Sequence, residues 1–175
     1  AFFDVITDKD RPFTVDVGAA TVAVTGTSFD VQRTNQSIRV AVAEGNVVVQ
    51  HLDATREAED TGPAADAITQ VSLMAGDGVV VSEAGIGDVI SVAVQDLGGW
   101  RSGRLIYNSV SLSEIAEDAG RYYHRPIRVH AGIADLRLTG RFESDDIEGL
   151  LAVIDEALPV RIIDLGSAGV AIHAE

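Results

Sequence analysis

Apolar and polar side chains alternate along the first half of the chain, from Phe13 to about Val94. Gly, Asn and Asp separate the alternating runs. The apolar members two positions apart are Phe13, Val15 and Val17; Val22 and Val24; Ile38, Val40 and Val42; and Ile90, Val92 and Val94. Alternation of this kind places every second side chain on one buried face and is typical of β-strands. The pattern predicts an all-β module of stacked antiparallel or solenoid-like strands.

Two segments of this module have similar sequences. VAVTGTSFDVQ, residues 22–32, is followed 18 positions later by VAVAEGNVVVQ, residues 40–50. This similarity fits a true repeat of stacked units of similar length, or it arises because valine-rich strands resemble one another by chance. Glycine lets a chain turn or bulge where a Cβ would clash. We therefore interpret Gly26, Thr27, Phe29 and Gly45 as structural parts of a scaffold and not as a site.

The spacing of apolar residues changes after Asp96, and we interpret Leu97-Gly98-Gly99 as the joint between the two halves. Leu112, Ile115, Ala116 and Ala119 have helical spacing, and the helix is expected to end at His124-Arg125-Pro126. Ser111 with Glu114 resembles a capping box at its start. A second helix is predicted from Ile147 to Leu158, with acidic residues in its first turn and Pro159 after it. The predicted strands are Leu105–Tyr107, Ile127–Val129, Leu136–Phe142, Val160–Ile163 and Val170–Ile172.

These elements predict two domains: an all-β domain over residues 1–96 and a small α/β domain over residues 97–175, in the order βαβ-βαββ. The segment Asp53–Ala67 is acidic, rich in alanine and interrupted by Gly62-Pro63. We interpret it as an exposed, mobile loop of the first domain.

Charge and composition exclude several classes of function. The chain has 27 acidic and 13 basic side chains among 175 residues, a net charge of −14, which disfavours nucleic acid and anionic membranes as partners. It has no cysteine, so disulfides, thiolate zinc sites and cysteine nucleophiles are excluded. Residues 1–96 hold 15 acidic and 5 basic side chains, and residues 97–175 hold 12 and 8, so the second half repels a partner less.

No motif predicts catalysis, a metal or a cofactor. Gly76-Asp77-Gly78 and Gly85-Ile86-Gly87 lack the third glycine of a dinucleotide loop and open no predicted helix, so we interpret them as turns. His124 and His130 lack the spacing and the nearby carboxylate or thiolate that a zinc site needs. The many carboxylates are typical of a soluble surface, although a glycosidase-type pair of carboxylates is not recognisable from sequence.

Arginine and aromatic residues in the second half are candidates for a protein interface. Both residue types are enriched where proteins recognise one another. The candidates for partner binding are Arg104, Tyr107, Arg121, Tyr123, Arg128 and Arg141. Trp100, at the predicted joint, is interpreted as an anchor that packs one half on the other.

Each half contains a set of short motifs in a fixed order. In the first half these are RPF-x-V, GT-x-F-x-V and V-x-V-x-EG-x-V-x-V. They fall on Arg11, Pro12, Phe13, Val15, Gly26, Thr27, Phe29, Val31, Glu44, Gly45 and Val47. In the second half the corresponding residues are Trp100, Gly103, Leu105, Tyr107, Asn108, Arg121, Tyr122, Gly140 and Phe142. With these motifs both halves resemble the FecR family of sigma-factor regulators. The order βαβ-βαββ also resembles the STN module of secretins and signalling transporters.

The resemblance implies the periplasmic portion of a single-pass inner-membrane protein. In this family the partner is the periplasmic signalling domain of a TonB-dependent outer-membrane transporter, and the regulated process is iron uptake by siderophores. The full-length protein would also meet an extracytoplasmic-function sigma factor and an intramembrane protease. The resemblance implies no enzyme activity and no cofactor. AFFDV resembles an internal strand of the FecR domain, so this domain is expected to lack its first part.

Two other functions fit the sequence. One is an STN-like structural module that assembles within an envelope complex. The other is a polysaccharide-active enzyme on a β-scaffold.

Overall fold

In a computed structural model, which describes residues 1–52 and 68–175, the chain divides into two units, Ala1–Gly98 and Gly99–Glu175. This division lies two residues beyond the boundary predicted between residues 96 and 97. The predicted loop Asp53–Ala67 lies outside the described residues.

The first unit is built from two antiparallel sheets. Its strands are β1 (Phe2–Asp4), β2 (Phe13–Asp16), β3 (Ala20–Val24), β4 (Ser28–Arg33), β5 (Ser37–Glu44), β6 (Asn46–Leu52), β7 (Ile68–Met74), β8 (Asp77–Ser82), β9 (Gly85–Ile86) and β10 (Ile90–Ser91). A six-stranded sheet has the order β1-β4-β5-β8-β10 with β9 also on β8, and a four-stranded sheet has the order β2-β3-β6-β7. All pairings among these described strands are antiparallel.

The alternating apolar residues of both sheets form one core. Along β3 and β5 every second side chain is buried. The core consists of Ala20, Val22, Val24, Phe29, Val31, Ile38, Val40, Val42, Val47, Val49, Leu73, Val79 and Val81. Phe29 is fully buried and stacks on Phe3, with ring centroids 5.0 Å apart and an interplanar angle of 18°. The period of two in the sequence therefore arises from a sandwich in which each sheet turns one face inward.

The echoed segments mark two crossings between the sheets. The chain passes from the four-stranded sheet to the six-stranded sheet at Gly26, with φ of 142°, and returns at Gly45, with φ of 84°. The Thr27 hydroxyl donates a hydrogen bond of 2.7 Å to the carbonyl of Asn46, so the two crossings are bonded to each other. Thr27 also exchanges two backbone hydrogen bonds with Val5. The two similar segments therefore correspond to the two places where the chain changes from one sheet to the other, and not to successive turns of a solenoid.

The second unit contains two helices and two small sheets. Its elements are β11 (Arg104–Ser111), α1 (Leu112–Ala119), β12 (Ile127–Val129), β13 (Arg137–Glu143), α2 (Ile147–Ala157), β14 (Val160–Asp164) and β15 (Val170–Ala174). Strands β11 and β13 pair antiparallel, and a three-stranded sheet has the order β12-β15-β14, with β12 parallel and β14 antiparallel to β15. The apolar faces of both helices join both sheets in one core.

Local capping sets where the two helices begin. The Ser111 side chain accepts from the backbone N–H of Glu114, and its hydroxyl bonds to the Glu114 carboxylate at 2.9 Å. The Asp146 carboxylate accepts from the N–H of Gly149 at 2.9 Å. Because such caps satisfy amides that have no partner within the helix, the sequence fixes both starting points.

The fold class predicted from sequence is confirmed, an all-β module followed by a small α/β module. Two details differ. The first helix ends at Ala119, before Gly120, and does not extend to Pro126, because glycine is a poor helix former. The predicted strand around Ile90 covers only Ile90–Ser91, and the chain then enters a 3-10 turn at Val94–Asp96. Neither helix in the described part of the chain is long and apolar enough to cross a membrane.

Candidate functional site

Two of the predicted interface residues share one face of the β11–β13 sheet. In this sheet Arg104 lies opposite Glu143, and Arg141 lies opposite Ile106. Both arginines are exposed. The Nε of Arg104 donates to the Ser102 hydroxyl at 3.3 Å. Residues two apart on a strand face the same side, so the two guanidinium groups are diagonal neighbours beside one carboxylate. This face carries net positive charge in a strongly acidic chain.

Tyr107 is a predicted interface residue, but in the structure its side chain is buried. It lies on β11 with 4% of its surface exposed, and its ring packs 6.0 Å from that of Phe142. Its hydroxyl donates to the Asp118 carboxylate at 3.2 Å. Tyr107 follows buried Leu105 by two positions, and the period of two therefore turns it into the core. This side chain supports the surface from within and is not part of it.

Arg121 follows the end of α1 and is held by acidic residues of that helix. Its guanidinium lies 3.6 Å from the Glu117 carboxylate and 3.5 Å from that of Asp118, with 49% of the side chain exposed. The Asp118 carboxylate also accepts a hydrogen bond from the Tyr107 hydroxyl. A cation near a helix C-terminus is favoured by the helix dipole, so Arg121 has a structural role at this position.

Tyr123 belongs to a polar network that the sequence did not predict. The Tyr123 hydroxyl donates to the Glu148 carboxylate at 3.2 Å, and the Arg125 guanidinium lies 5.7 Å from the centroid of the Tyr123 ring. Arg125 forms an ion pair with Asp164 and donates to the carbonyl of Gly169 at 3.1 Å. Four side chains from three separate segments are thereby tied together.

The network changes the protonation behaviour of its members. The backbone N–H of Gly166 and the Arg125 guanidinium hold the pKa of Asp164 below its usual value. The hydrogen bond that the Arg125 guanidinium donates to the Asp164 carboxylate raises the pKa of Arg125 above its usual value. Desolvation is the main cause that raises the pKa of Tyr123. All three shifts favour the observed state, a charged pair beside a neutral phenol.

An open cleft of about 240 Å³ lies beside this network. Its lining consists of Tyr123, Arg125, Glu148, Leu151, Ala152, Asp155, Ile162, Asp164 and Val170. Glu148, Asp155 and Asp164 each accept a hydrogen bond from within the unit. The carboxylates in the cleft therefore position α2, β14 and the loop before β12.

Arg128 stands apart from the other candidates. It lies in the middle of β12 and is exposed, and its guanidinium donates to the carbonyl of Ala168 at 2.8 Å. The structure thus brings Arg104 and Arg141 together on one sheet. Arg128 contacts the backbone of Ala168, and Arg125, which lies by the Tyr123 ring, contacts that of Gly169. The sequence contains no signal for the Arg125–Asp164 pair, because its members are 39 positions apart.

Trp100 lies in a 3-10 turn, Gly99–Ser102, and packs against the core of the second unit. The predicted role of Trp100 as an anchor between the halves stays a prediction.

His130 lies 5.6 Å from His173, measured between ring centroids. Within residues 1–52 and 68–175, no group of three or more histidine or acidic side chains is arranged to hold a metal ion.

Comparison with known proteins connects both units to one family. Residues 1–48 match the family model of the FecR protein, and residues 104–166 match that of the FecR C-terminal region. Two crystal structures of a provisionally assigned anti-sigma factor from Parabacteroides distasonis resemble the chain, each with a TM-score of 0.79 and 22% identity. Each likeness covers 99% of this chain and 76% of the other. No curated protein matches the chain significantly.

Proposed function

The chain belongs to the FecR protein family, and from this premise we propose that it is the periplasmic region of a membrane-anchored regulator of an extracytoplasmic-function sigma factor. The observation that carries the proposal is the match of two parts of the same family, in order, to the two units of the chain. FecR proteins are regulators, so the chain acts by binding another protein and not by catalysis.

We further propose that the second unit docks the periplasmic signalling domain of a TonB-dependent transporter for siderophores. Of the two halves, this one carries the smaller excess of acidic over basic side chains. It also presents exposed arginines on both of its sheets, Arg104 and Arg141 on one and Arg128 on the other. Arginine is enriched in the residues that dominate protein interfaces. Differential binding of the loaded transporter would then shift the regulator between two states, and an intramembrane protease would release the sigma-factor-binding part.

The first unit fits the role of a rigid scaffold. Its core is formed from both sheets, and its two crossings are bonded to each other through Thr27. A rigid support of this kind preserves the geometry of a binding module. In this proposal Gly26, Thr27, Phe29 and Gly45 maintain the scaffold and do not contact the partner.

Isothermal titration calorimetry tests the proposal. The chain is titrated with the purified periplasmic signalling domain of a TonB-dependent transporter from the same organism. Saturable binding at a ratio of one to one is the expected result. If only the heat of dilution is observed, over a range of salt concentrations, the proposed docking is wrong.

A further inference from the structure

Strand β12 has one side without a partner strand. It forms the outer edge of the three-stranded sheet and pairs with β15 alone among the described residues. The carbonyl of Pro126 accepts from the N–H of Val170, and the N–H of His130 donates to the carbonyl of Ile172. These two bonds point toward β15. Because peptide groups alternate in direction along a strand, those of Ile127 and Val129 point to the open side.

The opposite edge of the same sheet is closed from within the chain. On β14 the N–H of Ile162 donates to the Asp155 carboxylate at 2.7 Å. The N–H of Val160 donates to the carbonyl of Leu158, also at 2.7 Å. Proteins commonly cover or block strand edges, since an open edge is a template for another chain. One edge of this sheet is blocked in that way, whereas β12 pairs with β15 alone among the described strands.

The β12 edge lies in a basic segment of an acidic protein. The stretch RYYHRPIRVH, residues 121–130, contains three arginines, two histidines and no acidic residue, while the chain has a net charge of −14. Arg121 and Arg125 are paired with carboxylates. Arg128 is exposed, lies between the two outward peptide groups, and donates to a backbone carbonyl. A second copy of this chain would bring another −14 and is disfavoured as the occupant.

We propose that the β12 edge receives an extended segment of the partner as an added strand, and that this segment carries a carboxylate opposite Arg128. The inference rests on the proposed function and names where the signalling domain binds. The N–H and C=O groups of Ile127 and Val129 supply the main-chain hydrogen bonds. A side chain directly opposite Arg128 on the added strand lies about 5 Å away between Cβ atoms, which is within reach of an ion pair.

Hydrogen exchange followed by NMR on the whole chain tests the edge directly. The amides of Ile127 and Val129 are expected to exchange quickly in the free protein and to slow by about tenfold or more when the transporter's signalling domain is added. The amide of Arg128 points toward β15 and serves as an internal control, because it is protected in both states.

A pair of matched variants adds a second readout. Arg128→Glu reverses the charge at the open edge, and Arg161→Glu makes the same change on β14, the blocked edge of the same sheet. We expect Arg128→Glu to raise Kd by about tenfold or more and Arg161→Glu to raise it by less than about threefold. Both residues are exposed, so both variants should fold.

The outcomes separate the two proposals. If the unmodified chain does not bind the signalling domain, the proposed function fails. If it binds while Ile127 and Val129 stay unprotected and the two charge reversals have equal effects, the strand-addition proposal fails and the proposed function stands. If Ile127 and Val129 become protected with rising protein concentration and no partner, a second copy occupies the edge and the stated occupant is wrong.

Discussion

Gly45→Ala should destabilise the first unit far more than the same change at Gly76. Both glycines have a left-handed backbone, with φ of 84° at Gly45 and 89° at Gly76. Their surroundings differ. A Cβ at Gly45 would lie 2.7 Å from the carbonyl oxygen of Gly26 and 3.0 Å from the Thr27 hydroxyl, whereas a Cβ at Gly76 would meet nothing within 4 Å.

The structure sets the size of the difference. A left-handed conformation costs a residue with a Cβ about 1–2 kcal/mol, and both alanine variants carry this cost. At Gly45 the new methyl group also meets backbone that is fixed by the bond from Thr27 to Asn46, and overpacking of a fixed site costs a further ~1–3 kcal/mol. We therefore expect a loss of about 1–2 kcal/mol for Gly76→Ala and of about 2–5 kcal/mol for Gly45→Ala.

Urea unfolding followed by two probes measures these losses. The single tryptophan and all three tyrosines, Trp100, Tyr107, Tyr122 and Tyr123, lie in the second unit, so intrinsic fluorescence reports on that unit. Far-UV circular dichroism also includes the strands of the first unit. We expect the loss of stability in Gly45→Ala to appear in the unfolding transition that is followed by circular dichroism. Equal losses for the two alanine variants would refute the role of Gly45 at a close crossing.

Three further predictions concern the core, a helix cap and pH. Phe29→Ala removes a fully buried ring stacked on Phe3 and should lower the free energy of unfolding by about 3–5 kcal/mol in urea denaturation; a loss below 1 kcal/mol would contradict its place in the core. Ser111→Ala removes the cap that bonds to Glu114 and should cost about 1 kcal/mol, with Ser111→Asp retaining most of the stability. The pKa of Asp164 is lower when folded than its usual 3.8, so its contribution is present above that pH and is lost as the pH falls through the folded value. Asp164→Asn should therefore be less stable than the parent in thermal unfolding at pH 6, with the difference shrinking below pH 3.8; a difference that grows with acid would contradict the sign.

Local signals in the sequence were sufficient for the alternating strands of the core and for the starts of both helices. Val22, Val24, Val40 and Val42 alternate because each faces one core, and every one of them is buried. Ser111 predicted the start of its helix because a cap acts over three residues. In such cases the physical interaction lies within a single turn or strand, and the pattern predicts it directly.

Contacts between residues far apart in the chain could not be predicted from the sequence. The crossings at Gly26 and Gly45 depend on which sheet receives each strand, and Arg125 meets Asp164 across 39 positions. Neither arrangement has a local pattern. Tyr107 is a different case, since its spacing of two from Leu105 already indicated the core, and its chemistry as a tyrosine suggested the surface.

The central claim is that the second unit binds the signalling domain of a transporter. The most direct measurement is an NMR titration of the isotope-labelled chain with the unlabelled signalling domain. We predict chemical-shift changes concentrated in residues 99–175 and strongest around β12. Changes confined to residues 1–52, or no changes at saturating partner, would contradict the claim.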